Sequence, residues 1–165
     1  MSQLTKLEEA SWRGFLRTHN ALWKTLESIM VKDSGLTLSA YEVLLLLEEA
    51  GSDGLRMTRL AQTLGFSGGG LTRLADKLQQ EGYLERRRCD ADGRGFEALL
   101  TPAGRVKLKR VHVKHLRAVR SLFLHRLTDD EQNALAAIWQ KIGQTGASAD
   151  TDDTKNLEDD KESKQ

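Results

Sequence analysis

The segment from Leu84 to Thr101, LERRRCDADGRGFEALLT, constrains the fold more than any other part of the sequence. A turn-forming run, DADGRG, divides it, and Arg94 lies between Gly93 and Gly95 in that run. This pattern predicts a short basic β-hairpin with an arginine at its tip. The segment before it, SGGGLTRLADKLQQEGY, has the apolar spacing of a helix, so we expect the hairpin to follow a helix directly.

Length and composition set the outer limits of the fold. A chain of 165 residues suits one domain, or a core with an extension. The single cysteine, Cys89, excludes an intramolecular disulfide framework and indicates a reducing compartment. The first residues lack the apolar core of a signal peptide, and the longest aliphatic run, Val43 to Leu47, is too short to cross a membrane. We therefore expect a cytoplasmic protein with no membrane partner.

Charge is distributed unevenly along the chain. Residues 146–165 hold seven acidic and three basic residues, so this tail carries −4 of a total of +1 and the rest of the chain carries +5. Leu157 is the only large apolar residue of the tail, which is therefore predicted to be disordered. Residues 86–126 contain twelve Lys or Arg and three Asp or Glu. Such an excess attracts polyanions, although a solvated helix face has the same composition.

Hydrophobic periodicity predicts long helices at both ends of the chain. Apolar residues from Trp12 to Met30 recur at spacings of three, four and seven, which is typical of one amphipathic helix over about residues 5–32. Thr101 and Pro102 are suited to begin a second long helix that runs to about Arg126. Thr128 and Glu131 form a capping box for the helix after it.

Two shorter helices are predicted between these ends. Ser39 and Glu42 have the spacing of a capping box, which predicts a helix from Tyr41 to about Ala50. The next helix is predicted from Thr58 to Leu64.

Residues 58–78 have the pattern of a helix-turn-helix. Ala61 is small enough for two helices to cross closely, and Gly65 suits a turn with positive φ. Ser67 can cap the second helix, which turns its leucines inward and leaves these positions outward: Gly69, Thr72, Arg73, Asp76 and Lys77. An outward Arg73 can pair with guanine in a major groove or contact only phosphate or solvent.

Three consecutive glycines, Gly68 to Gly70, open this second helix. Each weakens a helix by roughly 1 kcal/mol relative to alanine, so a compensating role is expected. Either the bare backbone approaches a phosphate, or the first turn becomes ordered only on binding.

With these motifs, the chain resembles the MarR family, the multiple antibiotic resistance regulators, over residues of about 12–142. The resemblance rests on a set of motifs: Leu36-x-Leu38-Ser39, Gly70-Leu71-Thr72-Arg73-Leu74, Asp76-Lys77-Leu78, Gly82-Tyr83-Leu84, Arg86, Asp92-Gly93-Arg94-Gly95 and Leu100-Thr101-x-x-Gly104. The glycine triplet departs from the polar residues usual at those family positions.

The resemblance implies a mainly α fold, a winged helix-turn-helix with a small β-hairpin wing. Residues 1–145 would form one such unit, with a DNA-binding lobe over about 37–101 and dimerisation helices over about 5–32 and 102–145. A homodimer would bind successive major grooves of a pseudo-palindromic DNA site. Arg94 would enter a minor groove, with Asp92 orienting it. The residues predicted to contact DNA are Ser67, Gly68, Gly69, Thr72, Arg73, Lys77, Arg86, Arg88, Asp92 and Arg94.

The properties of individual arginines are consistent with parts of this expectation. An arginine between two glycines packs poorly, and the negative potential of a narrow A·T minor groove attracts it. Arg86, Arg87 and Arg88 alternate along a strand, so at least one is expected to contact phosphate while another is solvated or pairs with Asp90 or Asp92.

Sensing of a signal is the least determined property. Relatives bind small aromatic or phenolic compounds between dimer base and DNA-binding lobe, and five residues could line such a crevice: Trp12, Phe15, His19, Trp23 and Tyr41. Plain core or dimer interface is the alternative for this stripe. His112 and His115 could chelate a metal, and Cys89 beside three arginines could be oxidised, but we predict no metal site, no cofactor and an inert thiol.

The sequence contains no nucleophile elbow, phosphate loop or dinucleotide fingerprint, so we do not expect an enzyme. The resemblance implies a cytoplasmic, nucleoid-associated regulator of transcription, a homodimeric repressor that a small ligand releases from double-stranded DNA. The alternative is an architectural DNA-binding protein with little sequence preference, or a winged-helix module that contacts protein.

Overall fold

The computed structural model describes residues 3–88 and 95–147. The chain divides into two compact units, one that ends at Arg120 and one that begins at Ser121. The helices and strands, in chain order, are α1 (Lys6–Ser34), α2 (Leu38–Ala50), β1 (Leu55–Arg56), α3 (Met57–Leu64), α4 (Gly68–Gln80), β2 (Leu84–Arg88), β3 (Phe96–Leu100), α5 (Pro102–Leu122) and α6 (Asp129–Ala147). The expected mainly helical fold with a small hairpin is confirmed. No helix in the described part of the chain is long and apolar enough to cross a membrane.

Helix α2 begins earlier than the sequence predicted. Thr37, not Ser39, is its N-cap: the backbone of Thr37 is extended and its hydroxyl accepts a hydrogen bond from Ala40 N at 3.1 Å. Leu38 is buried, and its backbone N donates to Glu27 Oε2 of α1 at 2.6 Å. The predicted Ser39–Glu42 capping box is therefore wrong, because a tertiary hydrogen bond and burial of Leu38 place the first turn upstream.

Helix α5 is shorter than predicted. It ends at Leu122, and residues Leu124–Arg126 form a 3₁₀ turn instead of continuing the helix. Within the second unit, Gln132 Nε2 donates to the carbonyl oxygens of Leu124 and Leu127, each at 3.3 Å, which holds this turn. The capping box of Thr128 and Glu131 is confirmed, with Thr128 N donating to Glu131 Oε2 at 2.8 Å and Glu131 N to Thr128 Oγ1 at 3.3 Å.

Helix α6 reaches Ala147, so the first two residues of the predicted acidic tail, 146 and 147, are helical. The rest of that tail, residues 148–165, lies outside the described residues.

Three antiparallel strands form the sheet in the order β1-β3-β2. In the hairpin, Leu84 pairs with Leu100 and Arg88 with Phe96. Strand β1 was not predicted: it pairs Leu55 with Ala98 and has two residues, too few for an alternating pattern to be visible in the sequence.

The core of the first unit lies between α2, α4 and the sheet. Its most completely buried large side chains are Leu36, Val43, Leu44, Leu47, Leu60, Leu71, Leu78 and Leu84. The predicted inward face of α4 is confirmed, since Leu71 and Leu78 are buried and Leu74 packs against the core while partly exposed. Gly65 ends α3 with a φ of 66°, in the left-handed region as predicted.

The start of α5 packs tightly on the turn between α4 and β2. Thr101 Oγ1 donates to Gly82 O at 2.6 Å and accepts from Gly104 N at 2.9 Å, so the expected N-cap of α5 also joins the helix to this turn. A Cβ added at Gly104 would collide with the carbonyl oxygen of Tyr83 and would come within 2.7 Å of Leu100 Cδ1. Only glycine allows the helix to approach the turn this closely.

We expect Gly104→Ala to lower the free energy of unfolding by about 1–3 kcal/mol, because overpacking a buried backbone contact costs more than the helix gains from alanine. Chemical denaturation measures this difference. Val106→Ala in the next turn is the control, since Val106 is 51% exposed. If Gly104→Ala and the wild type had equal free energies of unfolding, the turn would have moved to accommodate the added methyl group without loss of stability.

Candidate nucleic-acid interface

Helix α4 presents a polar face opposite the core. Thr72, Arg73 and Lys77 are exposed, as the sequence predicted for outward positions. Within the described residues Arg73 has no ion-pair partner, whereas Lys77 Nζ lies 3.9 Å from Glu81 Oε1. The hydroxyl of Thr72 donates to Gly68 O at 2.8 Å, which leaves its oxygen available as an acceptor. This face therefore offers a long unpaired cation and a hydroxyl beside each other.

The first turn of α4 is bare backbone. Ser67 is its N-cap as predicted, and Ser67 Oγ accepts from Gly70 N at 3.2 Å. A Cβ added at Gly68 or Gly69 would meet nothing within 4 Å, so no packing inside the described chain requires glycine there. Gly70 is closer to its surroundings, with Ser67 Oγ at 3.1 Å from such a Cβ. Packing among the described residues therefore does not explain the glycines at positions 68 and 69.

Arg86 of β2 is bound to helix α4. Its Nε donates to Gln79 Oε1 at 2.7 Å, and its Nη2 lies 2.5 Å from Asp76 Oδ1. The side chain is 24% exposed and that of Asp76 is 45% exposed. Neither Asp76 nor Gln79 was predicted as a partner, because nothing in the local spacing indicates that a strand arginine folds back onto the preceding helix.

Arg87 faces the other side of the hairpin. Its Nε lies 3.1 Å from Glu97 Oε2 on the directly opposite strand position, and its Nη2 donates to Asp53 O at 3.2 Å. The sequence predicted Asp90 or Asp92 as partners of these arginines; both carboxylates lie outside the described residues, and the partners that the structure shows are Asp76 and Glu97. Hairpin register alone would have indicated the Arg87–Glu97 pair.

Arg88 is the exposed cation at the outer end of β2, with no ion pair among the described residues. Strand alternation places it on the same face of the hairpin as Leu84 and Arg86. The predicted wing-tip residues Asp92 and Arg94, together with Cys89, lie outside the described residues.

The five residues predicted to line a ligand crevice form two separate groups. Trp12, Phe15, His19 and Trp23 make an exposed row along α1, with neighbouring ring centroids 5.9–6.0 Å apart. Trp12 also lines a surface cleft of about 700 Å³ with Leu4 and Leu16. Tyr41 is instead 4% exposed and belongs to a cluster between α2 and α5.

That cluster joins Tyr41 to His112 and His115. Tyr41 Oη lies 2.7 Å from His112 Nδ1, and the Tyr41 and His115 ring centroids are 4.6 Å apart. His115 Nδ1 is buried without a hydrogen-bond partner in the described structure. Burial lowers the pKa of His115, and charge on His112 lowers it further, whereas burial and the nearby Glu42 and Glu49 raise the pKa of Tyr41. The described residues contain no group of three side chains placed to hold a metal ion.

Comparison with known proteins identifies the family. A MarR family model matches residues 34–95. The transcriptional repressor MprA of Escherichia coli K12 is 29% identical over 113 residues, which are 68% of this chain and 64% of MprA. The structure superposes on AbsC, a MarR family transcriptional regulator of Streptomyces coelicolor, with a TM-score of 0.82 at 28% identity, over 90% of this chain and 99% of AbsC.

Sco3205, another MarR family regulator of Streptomyces coelicolor, was crystallised in complex with DNA. It is 30% identical to this chain, with a TM-score of 0.82 and coverage of 88% of this chain and 91% of Sco3205. The chain belongs to the MarR family. It has the winged helix fold of that family, in which α3 and α4 form the helix-turn-helix and β2 and β3 the base of the wing.

The half-buried histidine His115 gives this MarR family member a testable pH dependence. The folded chain binds a proton at His115 less readily than the unfolded chain, because its pKa is lowered. Stability from this group is present above the ordinary histidine pKa of about 6.5 and is lost as the pH falls toward the folded-state value. Between about pH 7.5 and about pH 5.5, wild type should lose stability relative to His115→Phe.

Thermal unfolding at several pH values measures this difference. One proton changes the free energy of unfolding by at most about 1.4 kcal/mol per pH unit, and the partly exposed ring should change it by less. The variant comparison removes the opposite contribution of Glu42, whose pKa burial raises. His125→Gln, at an exposed position, is the control. Parallel pH profiles of wild type and His115→Phe would contradict the assignment.

Proposed function

We propose that this chain is a homodimeric repressor that binds a pseudo-palindromic double-stranded DNA operator through α4 and the wing. The observation that carries the proposal is the exposed face of α4. There Arg73, which has no ion-pair partner among the described residues, lies beside a glycine backbone that packing within the same residues does not explain. Sco3205, 30% identical to this chain, was crystallised with DNA, and MprA is a repressor; both facts support the proposal.

In this proposal each part of the interface has a distinct role. Arg73 and Thr72 read base edges in the major groove, while Lys77 and Arg88 contact phosphates. The amides of Gly68 and Gly69 approach a phosphate at the N-terminus of α4, close to the capping residue Ser67. Arg94 enters the minor groove, oriented by Asp92.

We propose residues 1–145 as one functional unit, with the lobe of about 37–101 on DNA and the terminal helices, about 5–32 and 102–145, forming the dimer. Support comes from apolar side chains that α1 leaves exposed and from others that α6 leaves exposed. On α1, Leu7 is 78% exposed and Trp12 is 55% exposed; on α6, Ile138 is 49% exposed and Ile142 is 57% exposed. Faces of this kind indicate association with another chain.

We propose that a small aromatic or phenolic ligand relieves repression. The row of Trp12, Phe15, His19 and Trp23 offers aromatic surface, and buried Tyr41 is hydrogen-bonded to the partly exposed His112, which offers a polar group. A ligand that binds the DNA-free conformation more tightly than the DNA-bound one lowers the affinity for the operator.

Fluorescence anisotropy on a labelled duplex from upstream of its own gene, against a scrambled duplex at physiological salt, tests the proposal. We expect selective binding, and we expect Arg73→Ala to weaken it by about 1–3 kcal/mol and to relax selectivity, because a bidentate base contact is lost. Gln80→Ala, at an exposed position of the same helix, is the control. Phenolic compounds added to the preformed complex should release it.

Equal affinity for both duplexes, with a salt dependence but no selectivity, would contradict the repressor and favour an architectural protein.

Analytical ultracentrifugation tests the dimer. Glu substitution of both Ile138 and Ile142, which lie one turn apart on α6, should give a monomer at micromolar concentration, because charge is introduced into the apolar face. Phe96→Glu, at a hairpin position 48% exposed, should remain dimeric, as should a chain without residues 148–165. A monomeric wild type would refute the dimer.

A further inference from the structure

The contacts of Arg86 join the two DNA-reading elements of the lobe. Helix α4 ends at Gln80 and strand β2 begins at Leu84, so only a short turn connects them along the chain. Gly82 in this turn has φ of 75°, a left-handed conformation that reverses the chain direction. Backbone hydrogen bonds from Gly82 N to Gln79 O and from Tyr83 N to Leu78 O hold the turn itself, and side chains of β2 add a restraint on the angle between the helix and the hairpin.

Arg86 supplies that restraint through a planar fork. Its Nε and Nη2 reach Gln79 and Asp76 respectively, two residues three apart on the same side of α4. Two hydrogen bonds from one rigid guanidinium fix both the distance and the rotation of the strand relative to the helix, which one point charge cannot do.

The same contacts make Arg86 a poor phosphate ligand. Its charge is balanced by Asp76 at 2.5 Å, and three quarters of its side chain is covered, with 24% exposed. Arg88, two residues further along the same face of the strand, is exposed and has no carboxylate partner in the described part of the chain. Of the two arginines on this strand face, Arg88 is therefore available to bind a phosphate and Arg86 is not.

We propose that Arg86 is a positioning residue that acts through Asp76 and Gln79 to hold the wing at a fixed angle to α4, and that it does not contact DNA. The inference rests on the proposed function for its effect on DNA binding. It replaces the sequence-based expectation that Arg86 contacts DNA. We call the contacts of Arg86 with Asp76 and Gln79 the clamp. Because α4 and the wing must bind their grooves together, loss of the clamp weakens operator binding without removing a DNA contact.

The two roles predict opposite effects of removing Asp76. If Arg86 contacts phosphate, Asp76→Ala releases the arginine and removes a negative charge near DNA, so affinity should rise or stay the same. If Arg86 positions the wing, Asp76→Ala should weaken binding as Arg86→Ala does, by about tenfold, the loss of one charged hydrogen bond. The double variant should then be no weaker than either single variant.

Salt dependence separates the roles a second time. A phosphate contact contributes about 0.9 to the slope of log affinity against log salt. We expect Arg86→Ala to keep the wild-type slope and Arg88→Ala, the matched control two residues away, to reduce it by about one. Arg86→Lys keeps the charge but lacks the fork, so it should remain as weak as Arg86→Ala.

Hydrogen exchange without DNA keeps the test independent of the proposed function. Amides of β2 and β3 should exchange faster in Arg86→Ala and Asp76→Ala than in wild type, and Arg88→Ala should match wild type. Faster exchange in a chain without selective DNA binding would support the clamp and refute the proposed repressor. Unchanged exchange, full binding by Asp76→Ala and a reduced slope in Arg86→Ala would overturn the clamp while the repressor stands.

Discussion

Burial of one face of α4 is the constraint on which the interface depends. Leu71, Ala75 and Leu78 are each about 1% exposed and recur at spacings of four and three, so their burial fixes the rotation of the helix about its axis. The two leucines contribute roughly 3–6 kcal/mol, which offsets the roughly 3 kcal/mol that three glycines cost at the helix start. The fold can therefore keep a weak first turn at this helix because the next two turns hold it.

A second set of contacts fixes where the wing leaves the core. Thr101 N donates to Tyr83 O at 3.2 Å and Thr101 Oγ1 to Gly82 O, so the residue that follows β3 is bound to the turn that follows α4. Gly104 lets α5 lie against the same turn. The base of the hairpin is thus held by one backbone hydrogen bond and by the hydroxyl of Thr101, whereas its inclination to α4 is held by the side chain of Arg86. The contacts of Thr101 set the position of the hairpin, and the guanidinium of Arg86 sets its direction.

Most of the fold follows from sequence because its signals are local. Capping boxes, apolar periodicity and a glycine-rich hairpin act within a few residues, which is why the long helices and the hairpin were predicted. The predictions fail where a residue that is distant in the sequence determines the local structure. Glu27 of α1 moves the start of α2 away from Ser39, and β1 exists only because β3 pairs with it. The exposed positions of α4 could be predicted from periodicity, but the partners of Arg86 could not, because they depend on how a strand folds back onto a helix.

The cationic segment from residue 86 to 126 shows why a count of charges overestimates the number of cations that are available to bind DNA. Arg86 and Arg87 are in ion pairs, and Lys107 Nζ donates to Ser34 O at 2.6 Å while Lys114 Nζ donates to Asp33 O at 3.3 Å. The two lysines of α5 meet the last carbonyl groups of α1, where the helix dipole favours positive charge. Part of the excess thus stabilises the junction of two helices. A polyanion approaching the described hairpin meets Arg88 as its unpaired arginine, so position within the fold, more than total charge, determines which cations can bind DNA.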